Sequence, residues 1–238
     1  MWLLFFLVFG GVGSPALAAD VQGLWAKAVQ QLESSKHWIP GSVHTVIQET
    51  DSEGQALSQE VLQVVTVPEV PNSIRRQLLS ARKDGEDVLA SRKERVEGVR
   101  SKEDHRTHRE NQDIKGNPFA QVSQTGMTVR DLNEVRKKEE KNWIKVGFVR
   151  TEKRKELYRG WAWLDSETGA PMEVEVEMLD RQWMVKSFVT HIHFGKIGDG
   201  GWGATRMSVK GHGGMLGMRR YFQTELTLTK HWLYTPGS

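Results

Sequence analysis

The sequence predicts an α+β fold: a curved antiparallel sheet, an incomplete β-barrel, covered by an N-terminal amphipathic helix and further helical segments. Three observations carry this. Val21, Leu24, Trp25, Ala28, Val29 and Leu32 recur at three- and four-residue steps and make one apolar stripe. From residue 143 to 234 the chain divides into strand-like runs joined by short, turn-rich links, the pattern of antiparallel neighbours. Several of those runs alternate apolar with polar residues, so the sheet has one apolar face that needs a cover.

In chain order, residues 2–9 are all apolar and Ala16-Leu17-Ala18 has the small-x-small form of a secretory cleavage site, so 1–18 reads as a signal peptide. Residues 19–238 then form a single domain in an exported, periplasmic protein. There is no cysteine, so the fold is held by burial and not by disulfides. Asp20 is the expected N-cap of the first helix, and Pro40-Gly41 ends that region. Ser42–Thr50 and Leu57–Val67 read as a hairpin about the turn chemistry of Asp51-Ser52-Glu53-Gly54.

Residues 74–113 change character. They carry both signs of charge with few apolar residues and read as an exposed, mostly helical insertion, with Lys83-Asp84-Gly85-Glu86 a possible turn within it. His105 and His108 inside it read as solvated. Val129–Lys141 reads as a short charged helix or a loop. Strands are then expected over Trp143–Arg150, Glu156–Asp165, Met172–Leu179, Gln182–Phe194, Trp202–Gly211 and Arg219–Tyr234.

The stretch YRGWAWLDSETGAPMEVEVEML, residues 158–179, predicts a register. With Asp165 opposite Pro171, Leu164 faces Met172, Ala162 faces Val174, Gly160 faces Val176 and Tyr158 faces Met178. The other face sets Trp163 beside Glu173, Trp161 beside Glu175, and Arg159 beside Glu177 as an ion pair. A one-residue slip would put charge against apolar groups. Gly160 and Ala162 leave room for a helix or a ligand to approach. Phe222, Leu226, Leu228, Trp232 and Tyr234 share one face of the last strand. The apolar face is filled by the protein's own side chains or holds a ligand, and the residues alone leave both open.

The signal, the amphipathic helix, the early strands and Gly160–Pro171 (GWAWLDSETGAP) ahead of a meander resemble the outer-membrane lipoprotein-sorting family of LolA-like, LolB-like and RseB-like periplasmic proteins. The resemblance covers the N-terminal helix and residues 143–194. It implies a half-barrel enclosing helices, with an apolar cavity for acyl chains. Without cysteine, the chain is similar to the unanchored carrier type. The charged region 74–113 departs from the compact family pattern, and no family functional arginine aligns with a position here.

The expected function is therefore to carry or bind an apolar ligand, a lipid or acyl chain, in lipid or lipoprotein sorting. The ligand-facing residues would be Tyr158, Leu164, Val174, Val176, Phe222, Leu226 and Leu228. The implied partners are a lipid or acylated protein and a transient membrane-protein partner, with no cofactor. No nucleophile or acid–base signature is present, and Glu173, Glu175 and Glu177 read as a solvated comb. A net charge of +3 from 33 basic and 30 acidic residues, without a concentrated basic stripe, argues against nucleic acid. Two alternatives remain. His191 and His193 share one strand face and, with His212 or His231, could bind zinc in a metal-dependent enzyme. The charged insertion could instead dock a protein partner in a regulatory module. Gly198–Gly203 lacks the Lys-Ser/Thr of a phosphate loop and reads as a mobile hairpin tip, and Gly211–Gly217, with Met215 and Met218, as a similar link.

Overall fold

Asp20 caps the first helix as expected, its carboxylate accepting the Gly23 N–H at 2.9 Å. The computed structural model describes residues 20–69, 73–98, 117–138, 140–179, 185–213 and 220–234. The segment 1–18 expected to be a signal peptide, His105 and His108, the Asp180-Arg181 link, and Met215 and Met218 lie outside them. Of the predicted stripe, helix α1 (Val21–Ser34) buries Val21, Leu24, Trp25, Ala28 and Val29 and leaves Leu32 partly buried.

Strands β1 (Trp38–Ile39), β2 (Ser42–Thr50) and β3 (Ala56–Glu69) follow. The β2–β3 turn closes on Asp51, whose Oδ1 accepts the N–H groups of Glu53 and Gln55, each at 2.9 Å. Next come β4 (Ser73–Lys83), the Asp84-Gly85 turn, β5 (Glu86–Asp87) and helix α2 (Leu89–Gly98). The insertion expected to be helical over 74–113 is thus strand in its first part. It is helical only from Leu89, and 99–113 lie outside the described residues. A short 3₁₀ turn (Gln121–Ser123) leads into β6 (Met127–Lys138), a strand where a charged helix or loop was expected. Strands β7 (Lys141–Glu152), β8 (Lys155–Asp165), β9 (Pro171–Met178), β10 (Val185–Ile197), β11 (Gly201–Gly213), β12 (Arg220–Thr229) and β13 (Trp232–Leu233) complete the chain.

One 11-stranded sheet results, ordered β5-β4-β3-β2-β12-β11-β10-β9-β8-β7-β6. Every pairing in it is antiparallel. Its end strands β5 and β6 do not pair with each other, so the curved wall stays open. The last expected strand, Arg219–Tyr234, breaks at Lys230, which takes a φ of 53°. Beyond the break, Trp232 and Leu233 pair with Ile39 and Trp38 in a separate two-stranded sheet. Trp232 and Tyr234 therefore leave the strand that carries Phe222 and Leu226.

The predicted β8–β9 register holds from Tyr158↔Met178 through Trp163↔Glu173, then shifts so that Leu164 pairs with Pro171 and not Met172. The shift comes where Asp165 folds the turn. Its Oδ1 accepts the N–H groups of Glu167 at 3.0 Å and Thr168 at 2.9 Å. Gly169 follows at φ 74°. A side chain there would be strained, and its Cβ would come within 2.9 Å of the Leu24 carbonyl oxygen, so the glycine also lets α1 dock on the turn.

Asp165 is 3% exposed. Burial pushes its carboxyl up, but the Thr168 and Glu167 N–H groups, the Thr168 hydroxyl and Lys141 outweigh it and hold it below the ordinary carboxylate value. A depressed folded value means that the ionised group stabilises the fold above the unfolded pKa of ~3.9, and that this stabilisation fades as pH falls through the folded value. Asp165→Asn should cost about 2 kcal/mol at neutral pH. The gap from wild type, read from urea midpoints, should close below about pH 4. A gap that persists unchanged in acid would show that the charge is not what the turn uses.

The glycine-rich β10–β11 hairpin is a seat for Trp38, not a free tip. A Cβ at Gly201 would lie 2.6 Å from Trp38 Cδ1, and one at Gly198 would overlap the same ring.

Candidate functional site

Paired residues in adjacent antiparallel strands share a face, so the ladders define the wall's inner surface row by row. One row runs Val146–Ala162–Val174–Ile192–Met207–Leu226–Thr45–Leu62–Ala81 across β7, β8, β9, β10, β11, β12, β2, β3 and β4. Eight of its nine members are apolar, so this row stays hydrophobic beyond the half nearest α1, while the next row on the same face mixes Val176, Val209 and Ile47 with Thr190, Thr224 and Glu60.

The first half of the row is covered. α1 lies on β6, β8 and β11. Trp25 stacks at 4.7 Å from Phe119 and 5.3 Å from Phe148, measured between ring centroids. Tyr158, Leu164, Val174 and Val176 sit in this core, each no more than 2% exposed. The room expected beside Gly160 is taken by the Phe148 ring, since a Cβ there would lie 2.8 Å from Phe148 Cζ. This end of the face is filled core.

The far end is covered by α2. It packs on β4, and the Arg92 guanidinium grips Glu60 with bonds of 2.6 and 3.0 Å. Glu60 is two residues from Leu62 and hence on the same face, so both helices cover one side of the sheet. Leu78 and Ala81 are buried there, at 3% and 1% exposure.

Between the two covers the row rises to half-buried positions: Met207, Leu226, Thr45 and Leu62. Neighbouring rows add Leu228 beside Val43, and Phe222 facing Phe188 across Gly211 with ring centroids 6.4 Å apart. The resulting trough spans four strands, about 14 Å at ~4.8 Å per strand, and runs about 20 Å from Phe222 to Leu228 at ~3.3 Å per residue. A small groove near Phe222 is lined mainly by Gln48, Thr50, Lys210, Tyr221 and Gln223, which the register sets on the opposite face of the sheet, so it is not part of the trough. A larger groove of about 430 Å³ lies along α1, lined by Trp25, Ala26 and Val29 together with Gln22, Gln30, Glu33, Gln121 and Gln124.

The seven predicted ligand residues thus divide. Tyr158, Leu164, Val174 and Val176 lie in the core under α1, and Phe222, Leu226 and Leu228 lie in the trough. Leu62 and Met207, which sequence reasoning passed over, complete the trough. Extending the register across β10–β11 and β2–β3 would have found them.

The outer face is polar, and the glutamates there are individually engaged. Arg159 meets Glu177 at 3.0 Å, as the register predicted. The Trp161 indole N–H donates to Glu175 at 3.1 Å. Arg136 stacks over Trp163 at 4.4 Å and reaches Glu173 Oε2 at 3.4 Å. Glu173 is buried at 9% exposure, so it is not part of a solvated comb. It lies directly opposite His193, and its Oε1 is 3.9 Å from His193 Nδ1. Burial and the adjacent His191 hold His193 below the ordinary imidazole range, against the pull of Glu173.

Glu173, His191 and His193 can each bring one ligand atom within 4.8 Å of the other two. The sequence had looked to His212 or His231 for the third ligand. His212 is instead hydrogen-bonded to Ser187 and stacked on Tyr221, four residues along β11 from Ser208, the partner of His191.

No family model and no curated protein matches the chain. Among solved structures it is similar to a LolA superfamily protein from Nitrosomonas europaea, at 10% identity and TM-score 0.38 over 90% of this chain and 94% of that one. It is also similar to a DUF1329 family protein from Desulfovibrio piger, at 11% identity and TM-score 0.41 over 92% and 95%. A third is a putative outer membrane lipoprotein-sorting protein domain from Vibrio parahaemolyticus, at 14% identity and TM-score 0.40 over 90% and 95%.

Proposed function

We propose that the protein is a periplasmic carrier or binding protein for an apolar ligand, a lipid or acyl chain, held in the trough between α1 and α2 by Phe222, Leu226 and Leu228. The observation that carries this reading is the row of apolar residues, broken only by Thr45, that is buried under a helix at each end and half-buried between. A sheet face built only for stability would be covered along its length, because each Å² of apolar surface left in water forgoes ~25 cal/mol. Tyr158, Leu164, Val174 and Val176 form the rigid floor beside the trough. Binding is by burial alone, with no covalent step and no cofactor. An acylated protein that presents its chain to the trough, and a membrane protein that hands it over, are the partners this chemistry fits.

The test uses a fluorescent acyl probe with native mass spectrometry of protein purified from a Gram-negative host. Lipid should co-purify with the wild type. Leu226→Asp should raise the probe's Kd at least tenfold, since a buried leucine is worth about 1.5–3 kcal/mol and 1.4 kcal/mol is a factor of ten. Leu226 is only half-buried, so the variant should stay folded by circular dichroism. Equal probe affinity in the folded variant and the wild type would overturn the assignment.

A further inference from the structure

We propose that Glu173, His191 and His193 form a binding site for a first-row divalent cation, Zn²⁺ above all, on the outer face of the sheet. This site lies on the opposite side of the wall from the trough and is independent of it. Alternation along β10 puts His191 and His193 on one face, and the β9–β10 ladder sets Glu173 directly across from His193. The two imidazole centroids are 4.5 Å apart, with the ring planes inclined at 61°, so the rings are immediate neighbours on that face. One ligand atom from each of the three residues lies within 4.8 Å of the others. Side-chain rotations would have to draw them together onto an ion with bonds of ~2.0–2.2 Å.

Two further observations point to a ligand there. His191 Nε2 is fully buried and has no hydrogen-bond partner. An orphaned buried ring nitrogen costs stability unless something occupies it, and a cation would. Glu173 also has a division of labour between its oxygens. Oε2 faces Arg136 at 3.4 Å and Oε1 faces His193 at 3.9 Å. An arginine on the outer oxygen orients the carboxylate and leaves the inner one to coordinate, the usual support for a metal-bound carboxylate. Two imidazoles and one carboxylate suit Zn²⁺, Cu²⁺ or Ni²⁺ and not Ca²⁺ or Mg²⁺, which take oxygen ligands. Three protein ligands leave a fourth position for water, and His193, with its side chain 41% exposed, gives solvent a way in.

The experiment is isothermal titration of Zn²⁺ into tag-free, metal-stripped full-length protein, with Mg²⁺ as the comparison ion. The expected result is one Zn²⁺ per chain, no Mg²⁺ binding, and a thermal midpoint raised by Zn²⁺. His193→Ala and Glu173→Gln should each weaken binding at least about tenfold, while His212→Ala should bind as the wild type does. If Glu173→Gln unfolds because Arg136 loses its partner, the exposed His193→Ala decides alone. Zn²⁺ binding that survives intact in His193→Ala would overturn the proposal, as would a wild type that takes up no Zn²⁺.

Discussion

Trp25→Ala should lower the unfolding free energy by about 4 kcal/mol, the range expected for a large aromatic truncated inside a core. The residue is 4% exposed and central to the buried stripe of α1. Its ring bridges Phe119 and Phe148, and its indole N–H donates to Gln124 Oε1 at 2.9 Å. Gln124 in turn donates to the carbonyls of Pro118 and Ala120 at 2.9 Å each. One side chain thus ties the helix, the 117–124 loop and the sheet together. The cavity cannot collapse cheaply. α1 is held by Gln22 to the Val129 carbonyl at 3.1 Å and by its close seat on Gly169. Trp25→Phe keeps the ring stack and loses the hydrogen bond, so it should cost only about 1–2 kcal/mol. Urea unfolding followed by circular dichroism measures both. A loss below about 1.5 kcal/mol for the alanine variant would mean that α1 is not the main cover.

The β8–β9 register was legible because two signals agreed. Strict alternation separated acid from apolar residues, and the Arg159–Glu177 pair rewarded only one alignment. It failed at Leu164, where the Asp165 turn inserts a shift that alternation cannot announce. The misread strands have a common cause. β6 is the last strand at one edge of the sheet, and β4 lies beside the two-residue β5 at the other. Edge strands carry charge so that they do not pair with other chains, and the charge hides the alternation. Lys137, Lys138 and their neighbours in β6 read as helix surface for that reason. A mixed-sign run was mistaken for a solvated helix when it was the guarded rim of a sheet.

The site was legible in part. Phe222, Leu226 and Leu228 were readable from period two on β12. Which of the apolar residues would be roofed was not, because the placement of α1 over Tyr158 and Val174, and of α2 over Ala81, follows from packing between distant segments. Glu173 was missed as a partner of the histidines for a related reason. Alternation and the Arg159–Glu177 pair mark its register with β8 but not with β10, and the second pairing is the one that brings His193 opposite.

Gly160→Ala should come close to the loss of Trp25 in its cost, although it adds only one methyl group. A glycine inside a strand ordinarily weakens it, and alanine there would be neutral or better. Gly195 on β10 is that ordinary case: an added Cβ would meet only Thr205 Cγ2, at 3.4 Å. At Gly160 the added carbon would overlap the Glu175 carbonyl oxygen in the next strand as well as approach Phe148 Cζ. The phenyl ring can turn away, but the carbonyl is held in the β8–β9 ladder and can move only by breaking it. Overpacking costs ~1–3 kcal/mol where side chains can give, and more where backbone must, so about 3 kcal/mol or more is expected here. Shrinking the ring tests which obstacle wins. If the backbone dominates, Phe148→Leu should fail to rescue Gly160→Ala, with a coupling below about 0.5 kcal/mol in a double-mutant cycle. A strong rescue would place the clash in the aromatic core under α1, and a Gly160→Ala protein as stable as Gly195→Ala would refute the close strand approach altogether.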